Sequence, residues 1–244
     1  MQVTNIFSVI TRQARQTEHR VVIYVNPRSY MVLRNRRVGL EQVDEFRFDG
    51  VLMVLLLRLF GHRVSRRSFD LTSDAPSIWR EASARRLKVF LVGGRRAELT
   101  RATERMEALY GQLDAPVLWD GYEGLRDIEV FLGAVRESSP SLVIVGLGSP
   151  RQELLALRIK ELAIPVTVYT CGAFITQTGG GTSAQFYPAI VDALNLRFAY
   201  RMIREPHTLR RYFFQYPIAL SLIAWDGARA KIVSSQSRRG RVED

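Results

Sequence analysis

Short continuous apolar runs alternate along most of the chain with longer segments of helical period. Five runs read as strands: Val21–Val25, Lys88–Val92, Pro116–Trp119, Leu142–Val145 and Pro165–Tyr169. Six stretches read as helices: Arg28–Arg37, Val51–Phe60, Arg96–Tyr110, Leu125–Ser138, Pro150–Leu162 and Ile190–Arg204. A run such as Leu142-Val143-Ile144-Val145 shows no polar alternation, so it is expected to be covered on both faces, as in a parallel sheet. The alternation predicts an α/β fold, a Rossmann-like, mostly parallel sheet flanked by helices. After Gly179-Gly180-Gly181 the pattern turns wholly helical. A boundary is placed near Tyr187-Pro188, giving a core over residues 1–187 and a basic helical appendage over 188–244. The polar tail of that appendage, from Ser234, is expected to fray.

Composition narrows the class. Of 244 residues, 47% are hydrophobic and 10% aromatic, which excludes a disordered chain. A single cysteine, Cys171, excludes a disulfide scaffold and a multi-cysteine metal site, and fits a reducing compartment. Residues 1–20 are interrupted by Arg12, Arg15 and Arg20 and lack the apolar run of a secretory signal. The longest apolar stretches, Val51–Phe60 and Tyr212–Trp225, fall short of the roughly 20 residues that span a bilayer. A cytoplasmic protein resting peripherally on a membrane is therefore expected.

The charge is uneven. The net value is +11, yet residues 197–244 carry ten basic residues against four acids, 10 − 4 = +6. Nucleic acid, acidic lipid and nucleotide phosphates are all anionic partners that such an excess could meet. In the appendage Arg197, Arg201 and Arg204 share one helix face, and Arg210-Arg211 directly precede the aromatic residues Tyr212, Phe213, Phe214 and Tyr216. Arginines beside interfacial aromatics suit an anionic membrane surface, and they also suit closing over a phosphorylated substrate. No RRM, KH, zinc-finger or helix-turn-helix signature accompanies them, so nucleic acid is not expected as the partner.

In open α/β sheets ligands bind outside the carboxyl ends of the strands, so the residues just after each strand are the candidates. The sharpest segment is Val145-Gly146-Leu147-Gly148-Ser149-Pro150-Arg151-Gln152-Glu153. Its glycines would let a ligand approach the backbone. Ser149 is expected as N-cap, Pro150 as the first helical residue and Gln152 as the partner in a capping box, leaving a helix start that favours phosphate. Gly93-Gly94 after Lys88–Val92 is either a second phosphate-approach loop or a tight turn. Asp49-Gly50 lies where Val43–Phe48 yields to an apolar helix; Asp49 is either a general base or a helix N-cap. Asn26 is either a substrate contact or part of a turn before Pro27, and Asp70 and Asp74 are similarly open. There is no G-x-G-x-x-G, Walker loop, HExxH or Asp-x-Asp, and the three histidines lack metal spacing. No metal or other cofactor is therefore expected.

Taken together, these segments resemble the WecG/TagA/CpsF glycosyltransferases. The resemblance rests on Asn26-Pro27, Asp49-Gly50, Phe90–Gly94, Val145–Glu153, Cys171-Gly172-Ala173-Phe174, and Arg201–Pro206 running on to Leu209–Tyr212. It covers roughly residues 20–216. It implies a metal-independent, inverting transfer of a hexose or N-acetylhexosamine from a UDP-sugar, as co-substrate, to a polyprenyl-diphosphate-linked saccharide at the inner membrane face, in surface or exopolysaccharide synthesis. It further implies Asp49 as base with Asn26 beside it, and Gly93, Gly94, Gly146, Gly148, Ser149, Gln152, Glu153 and Gly172 at the donor. Arg201, Arg204, Arg210 and Arg211 would meet phosphate or acceptor. Tyr24 stands where the family often has Thr, Thr176 where an Asp is usual, and Arg197-Phe198 where many members read Glu-Trp. Read without the resemblance, the chain would also suit a Rossmann-type oxidoreductase or a non-catalytic basic module.

Overall fold

The computed structural model describes residues 5–35, 39–180 and 215–239, with side chains as far as residue 233 in the last segment. Six strands form one parallel sheet: β1 (His19–Val25), β2 (Glu45–Phe48), β3 (Val89–Gly93), β4 (Val117–Trp119), β5 (Leu142–Gly146) and β6 (Val166–Thr170). Their order is β2-β1-β6-β5-β3-β4. The described helices are α1 (Ile6–Ile10), α2 (Pro27–Arg34), α3 (Val51–Leu59), α4 (Asp74–Ala84), α5 (Arg96–Tyr110), α6 (Ile128–Ser138), α7 (Arg151–Lys160), α8 (Phe174–Gly180) and α9 (Tyr216–Arg239).

The continuous apolar strands have two cores to fill. Along β1, Val21, Ile23 and Val25 enter one core with Phe7, Tyr30, Met53, Phe131, Leu155 and Ile223, from α1, α2, α3, α6, α7 and α9. Val22 and Tyr24 point to the opposite face, where Trp79, Leu99 and Phe174 of α4, α5 and α8 close the second core. Period-two alternation thus divides residues between two apolar layers rather than between core and water, which is why no polar alternation marks the sequence.

Several elements differ from the sequence expectation. β2 is a sixth strand; as the four-residue edge Glu-Phe-Arg-Phe it is too short and too charged to stand out as an apolar run. α4 and α8 are also additional helices. α6 begins at Ile128 instead of Leu125 because Asp127 caps it, accepting from the amides of Glu129 at 3.0 Å and Val130 at 3.2 Å. The expected helix over Ile190–Arg204 and the boundary near Tyr187 lie outside the described residues.

α9 is helical as far as Arg239, past Ser234. It is anchored upstream, so each further residue adds a helical bond without a new nucleation cost. Ile223 joins the first core, and buried Asp226 accepts from Tyr30 Oη at 2.8 Å and from Arg34 Nε at 2.7 Å and Nη2 at 3.0 Å. Its carbonyl accepts from Asn5 Nδ2 at 2.8 Å, and a Cβ on Gly227 would come within 2.8 Å of the Phe60 ring. The C-terminal helix therefore closes the α1–α2–α3 side of the sheet.

Candidate active site

From β3 the chain crosses outward to β4, whereas from β5 it crosses the other way to β6. The loops after β3 and β5 therefore diverge, and the crevice between them is where such sheets receive ligands. Gly93 stands opposite Gly146 at these strand ends. At Gly93 the contact is backbone on backbone, a Cβ there lying 2.3 Å from Gly146 O, whereas one on Gly146 would meet the Cys171 side chain, 2.9 Å from Sγ. Gly93 and Gly146 are thus required by packing beneath the crevice. Gly148 and Gly172, at φ +71° and +59°, instead open onto space with nothing within 4 Å of a built Cβ. They are the glycines past which a ligand can approach. Gly94 is also at positive φ and bonds across to the next loop, its O accepting from Gly121 N at 2.8 Å.

The start of α7 departs from the expected capping box. The N-cap is Pro150, not Ser149, and no side chain caps the helix; the Ser149–Pro150 peptide is cis. Gln152, freed from that role, spans two loops instead. Its Oε1 accepts from Gly172 N at 2.9 Å and its Nε2 donates to Glu153 Oε1 at 3.0 Å. Glu153 is fully buried, and burial raises its carboxyl pKa above the ordinary range against the opposing bond from Gln152. Glu153 Oε2 and the buried Ser149 Oγ lack hydrogen bonds of normal geometry among the described residues. The arrangement sets the β5–α7 and β6–α8 loops against each other, with Glu153 beneath the surface and hydrogen-bonded to Gln152. Cys171, buried beside them, has its thiol pushed up to about 12 by desolvation, which disfavours the nucleophilic thiolate.

At the other end of the carboxyl edge the functional groups are side chains. Asn26 caps α2 in a reciprocal box: its Oδ1 accepts from Ser29 N at 3.0 Å, and Ser29 Oγ accepts from Asn26 N at 2.8 Å. Asp49 follows β2, its amide donating to Val25 O at 2.8 Å. The residue at the N-cap position of α3 is Gly50 rather than Asp49, and Gly50 has no side chain with which to cap. Gly50 has φ +108°, and a Cβ there would come within 3.4 Å of Pro27 Cδ, so the Asn26 and Asp49 loops abut.

After α3 the chain returns alongside β2, where Arg66 bridges to Phe48 and the Arg67 amide donates to Phe48 O at 2.9 Å. This brings Arg66 Nε to 3.5 Å from Asp49 Oδ1, with the Asp49 side chain still 40% exposed. A carboxylate held beside a cation and open to solvent can accept a proton from an incoming hydroxyl.

Behind these loops lies a buried cluster. Tyr24 Oη donates to Asp74 Oδ2 at 2.6 Å, and Arg47 Nη1 donates to the same oxygen at 2.7 Å and to Tyr24 Oη at 3.0 Å. Arg67 Nε donates to Asp74 Oδ1 at 3.0 Å, and Arg47 Nε to Glu45 Oε1 at 2.5 Å. Desolvation raises the Tyr24 pKa well above its ordinary value, keeping the phenol neutral as a donor.

The structure thus places Asn26, Asp49, Gly93, Gly94, Gly146, Gly148, Ser149, Gln152 and Gly172 along one carboxyl edge. The Asp49 and Gly146 strands are three strand spacings apart, about 14 Å. That span is on the scale of an extended nucleotide sugar. Arg201, Arg204, Arg210 and Arg211 lie outside the described residues. Sequence reasoning missed Arg66, Arg47 and the role of Asp74. For Arg47 the local signal is the alternation of charge and phenylalanine in Glu45-Phe46-Arg47-Phe48; Arg66 and Asp74 have none in their own neighbourhood.

The model of the Glycosyl transferase WecG/TagA/CpsF family matches residues 1–232. The chain is 31% identical over 199 residues to a UDP-Gal:alpha-D-GlcNAc-diphosphoundecaprenol beta-1,4-galactosyltransferase of Shigella boydii, covering 81% of this chain and 82% of the relative. It is 23% identical over 221 residues to an N-acetylglucosaminyldiphosphoundecaprenol N-acetyl-beta-D-mannosaminyltransferase of Bacillus spizizenii, covering 84% and 83%. Among the described residues, no helix is long and apolar enough to cross a membrane.

Proposed function

Because the chain belongs to the WecG/TagA/CpsF family of glycosyl transferases, we propose that it moves a hexose or N-acetylhexosamine from a UDP-sugar to a polyprenyl-diphosphate-linked saccharide. The reaction inverts the anomeric centre, needs no metal ion, and takes place at the cytoplasmic face of the membrane. Both relatives carry a diphosphoundecaprenol-linked substrate in their names, which supports the acceptor class. The galactosyltransferase relative makes UDP-galactose the first donor to test.

The observation that carries the mechanism is the Asp49 carboxylate at the carboxyl end of β2, 40% exposed with Arg66 Nε 3.5 Å away. Asp49 takes the proton of the acceptor hydroxyl as that oxygen attacks the anomeric carbon; the carbon–oxygen bond to UDP breaks on the opposite side. The charge growing on the departing diphosphate needs preorganised donors. The backbone around Gly148, the α7 start and the loop at Gly172 lie at the crevice for this purpose, with Arg201, Arg204 and Arg211 supplied by the appendage. In this reading Gln152 positions the two loops and Glu153 supports Gln152.

Asp49→Asn tests the reading. Transfer, measured as UDP release with a polyprenyl-diphosphate glycan, is expected to fall by about 10²–10⁴-fold. UDP binding by calorimetry should remain within a few-fold of the parent. Retained turnover would remove Asp49 from the base role, and an absence of UDP release from any UDP-sugar would remove the function itself.

A further inference from the structure

α3, Val51–Leu59, is apolar on two opposite sides. Met53, Val54 and Leu57 face the sheet and are buried. Leu52, Leu55 and Leu59, spaced i, i+3, i+7, form the outer stripe and are 59%, 53% and 76% exposed. A surface helix ordinarily turns polar residues outward, so three leucines on its outer face mark a surface with a partner.

The neighbouring charges identify that partner. Arg58 adjoins the stripe and Arg63 follows it; both are exposed. With His62 and Ser65 they line an open cleft of about 550 Å³ at the end of the helix. Arg58 Nε donates to Val64 O at 2.8 Å, which fixes that guanidinium at the cleft. An isologous contact with a second copy would set this cationic patch against itself. An anionic bilayer complements both parts, taking leucines at the acyl boundary and arginines at headgroup phosphates. A helix of nine residues, about 13 Å long, lies along such a surface and does not cross it.

We propose that the outer face of α3 is a docking surface for an anionic membrane, with Leu52, Leu55 and Leu59 entering the acyl boundary and Arg58 and Arg63 engaging headgroup phosphates. Its purpose rests on the lipid-linked acceptor proposed above. Asp49 stands two residues before Val51, so a docked α3 holds the carboxylate at headgroup depth, where a diphosphate-linked sugar lies.

Two measurements on the full chain test this. Cys171 is the sole cysteine and is buried, so a cysteine introduced on the surface can be labelled selectively. L55C carrying an NBD fluorophore should shift to the blue and brighten severalfold on phosphatidylglycerol–phosphatidylcholine vesicles. E104C, exposed on α5 across the sheet, should stay unchanged. The triple variant L52Q/L55Q/L59Q should keep its melting temperature and lose vesicle partition by about tenfold or more. Unchanged partition in that variant, no partition of the parent, or a probe at 55 still in water on co-sedimented protein would each overturn the proposal. So would a changed oligomeric state at unchanged partition, which would assign the stripe to a second copy. Docking through α3 by a chain that releases no UDP from any donor would uphold this surface while removing the proposed reaction.

Discussion

The two ends of the sheet's carboxyl edge are built on opposite plans. At β3 and β5 the backbone itself is the material: Gly93 lies on Gly146, and the loops above them open at Gly148 and Gly172. At β1 and β2 the material is charge, with Tyr24, Arg47 and Asp74 buried under the loops that carry Asn26 and Asp49. One end removes side chains so that strands and a ligand can come close. The other surrounds a carboxylate with groups that fix the loops around it. The transfer proposed above needs both: room for a nucleotide diphosphate, and a carboxylate held in place for the attacking hydroxyl.

The comparison can be broken most forcefully at the glycine end. Gly93→Ala puts a Cβ 2.3 Å from a backbone oxygen at φ +141°, where neither partner is a side chain that can swing aside. We expect a loss of more than about 4 kcal/mol of stability, seen as insoluble protein or a collapsed melting temperature. A well-folded G93A chain would show that the two strand ends can separate.

At the charged end, Arg47→Met leaves Asp74 with a buried, under-compensated charge and should cost about 3–5 kcal/mol by denaturant unfolding. A cost below about 1 kcal/mol would make the cluster equivalent to a surface ion pair and end the contrast.

The smallest expected effect is one of slope. Burial raises the Glu153 pKa, so between the ordinary carboxylate range and that raised value the folded chain holds a proton that the unfolded chain has released. Stability contributed through Glu153 is therefore retained at low pH and falls as pH rises through this window. Glu153→Gln should flatten that part of the stability-versus-pH curve while the rest is unchanged. An identical slope in parent and variant would place the titration elsewhere.

Legibility followed the range of the interaction. The five apolar runs, the glycine pairs and the Asp49-Gly50 junction are local features and could be placed from residues alone. The local capping pattern at Ser149 does not reveal that Gln152 bonds to Gly172, because that partner lies twenty positions away. β2 was missed for a related reason. It is an edge strand whose charges are paired within the sheet and beyond it: Arg20 with Glu45, and Arg47 with Asp74. Read singly, those charges mark a loop.

By itself the sequence determined the α/β class, the carboxyl-edge placement of the candidate site and the family resemblance. Each depends on strand patterning and on short motifs whose meaning is carried by neighbours in the chain. The tertiary structure alone decided which glycines are packed and which are open, and that Asp49 is paired with Arg66. It also decided that α9 closes the sheet through Tyr30 and Asp226, 196 positions apart, while α3 keeps an outer stripe of leucines. These are contacts between distant segments. Their energies come from burial and pairing that exist only once the chain has folded.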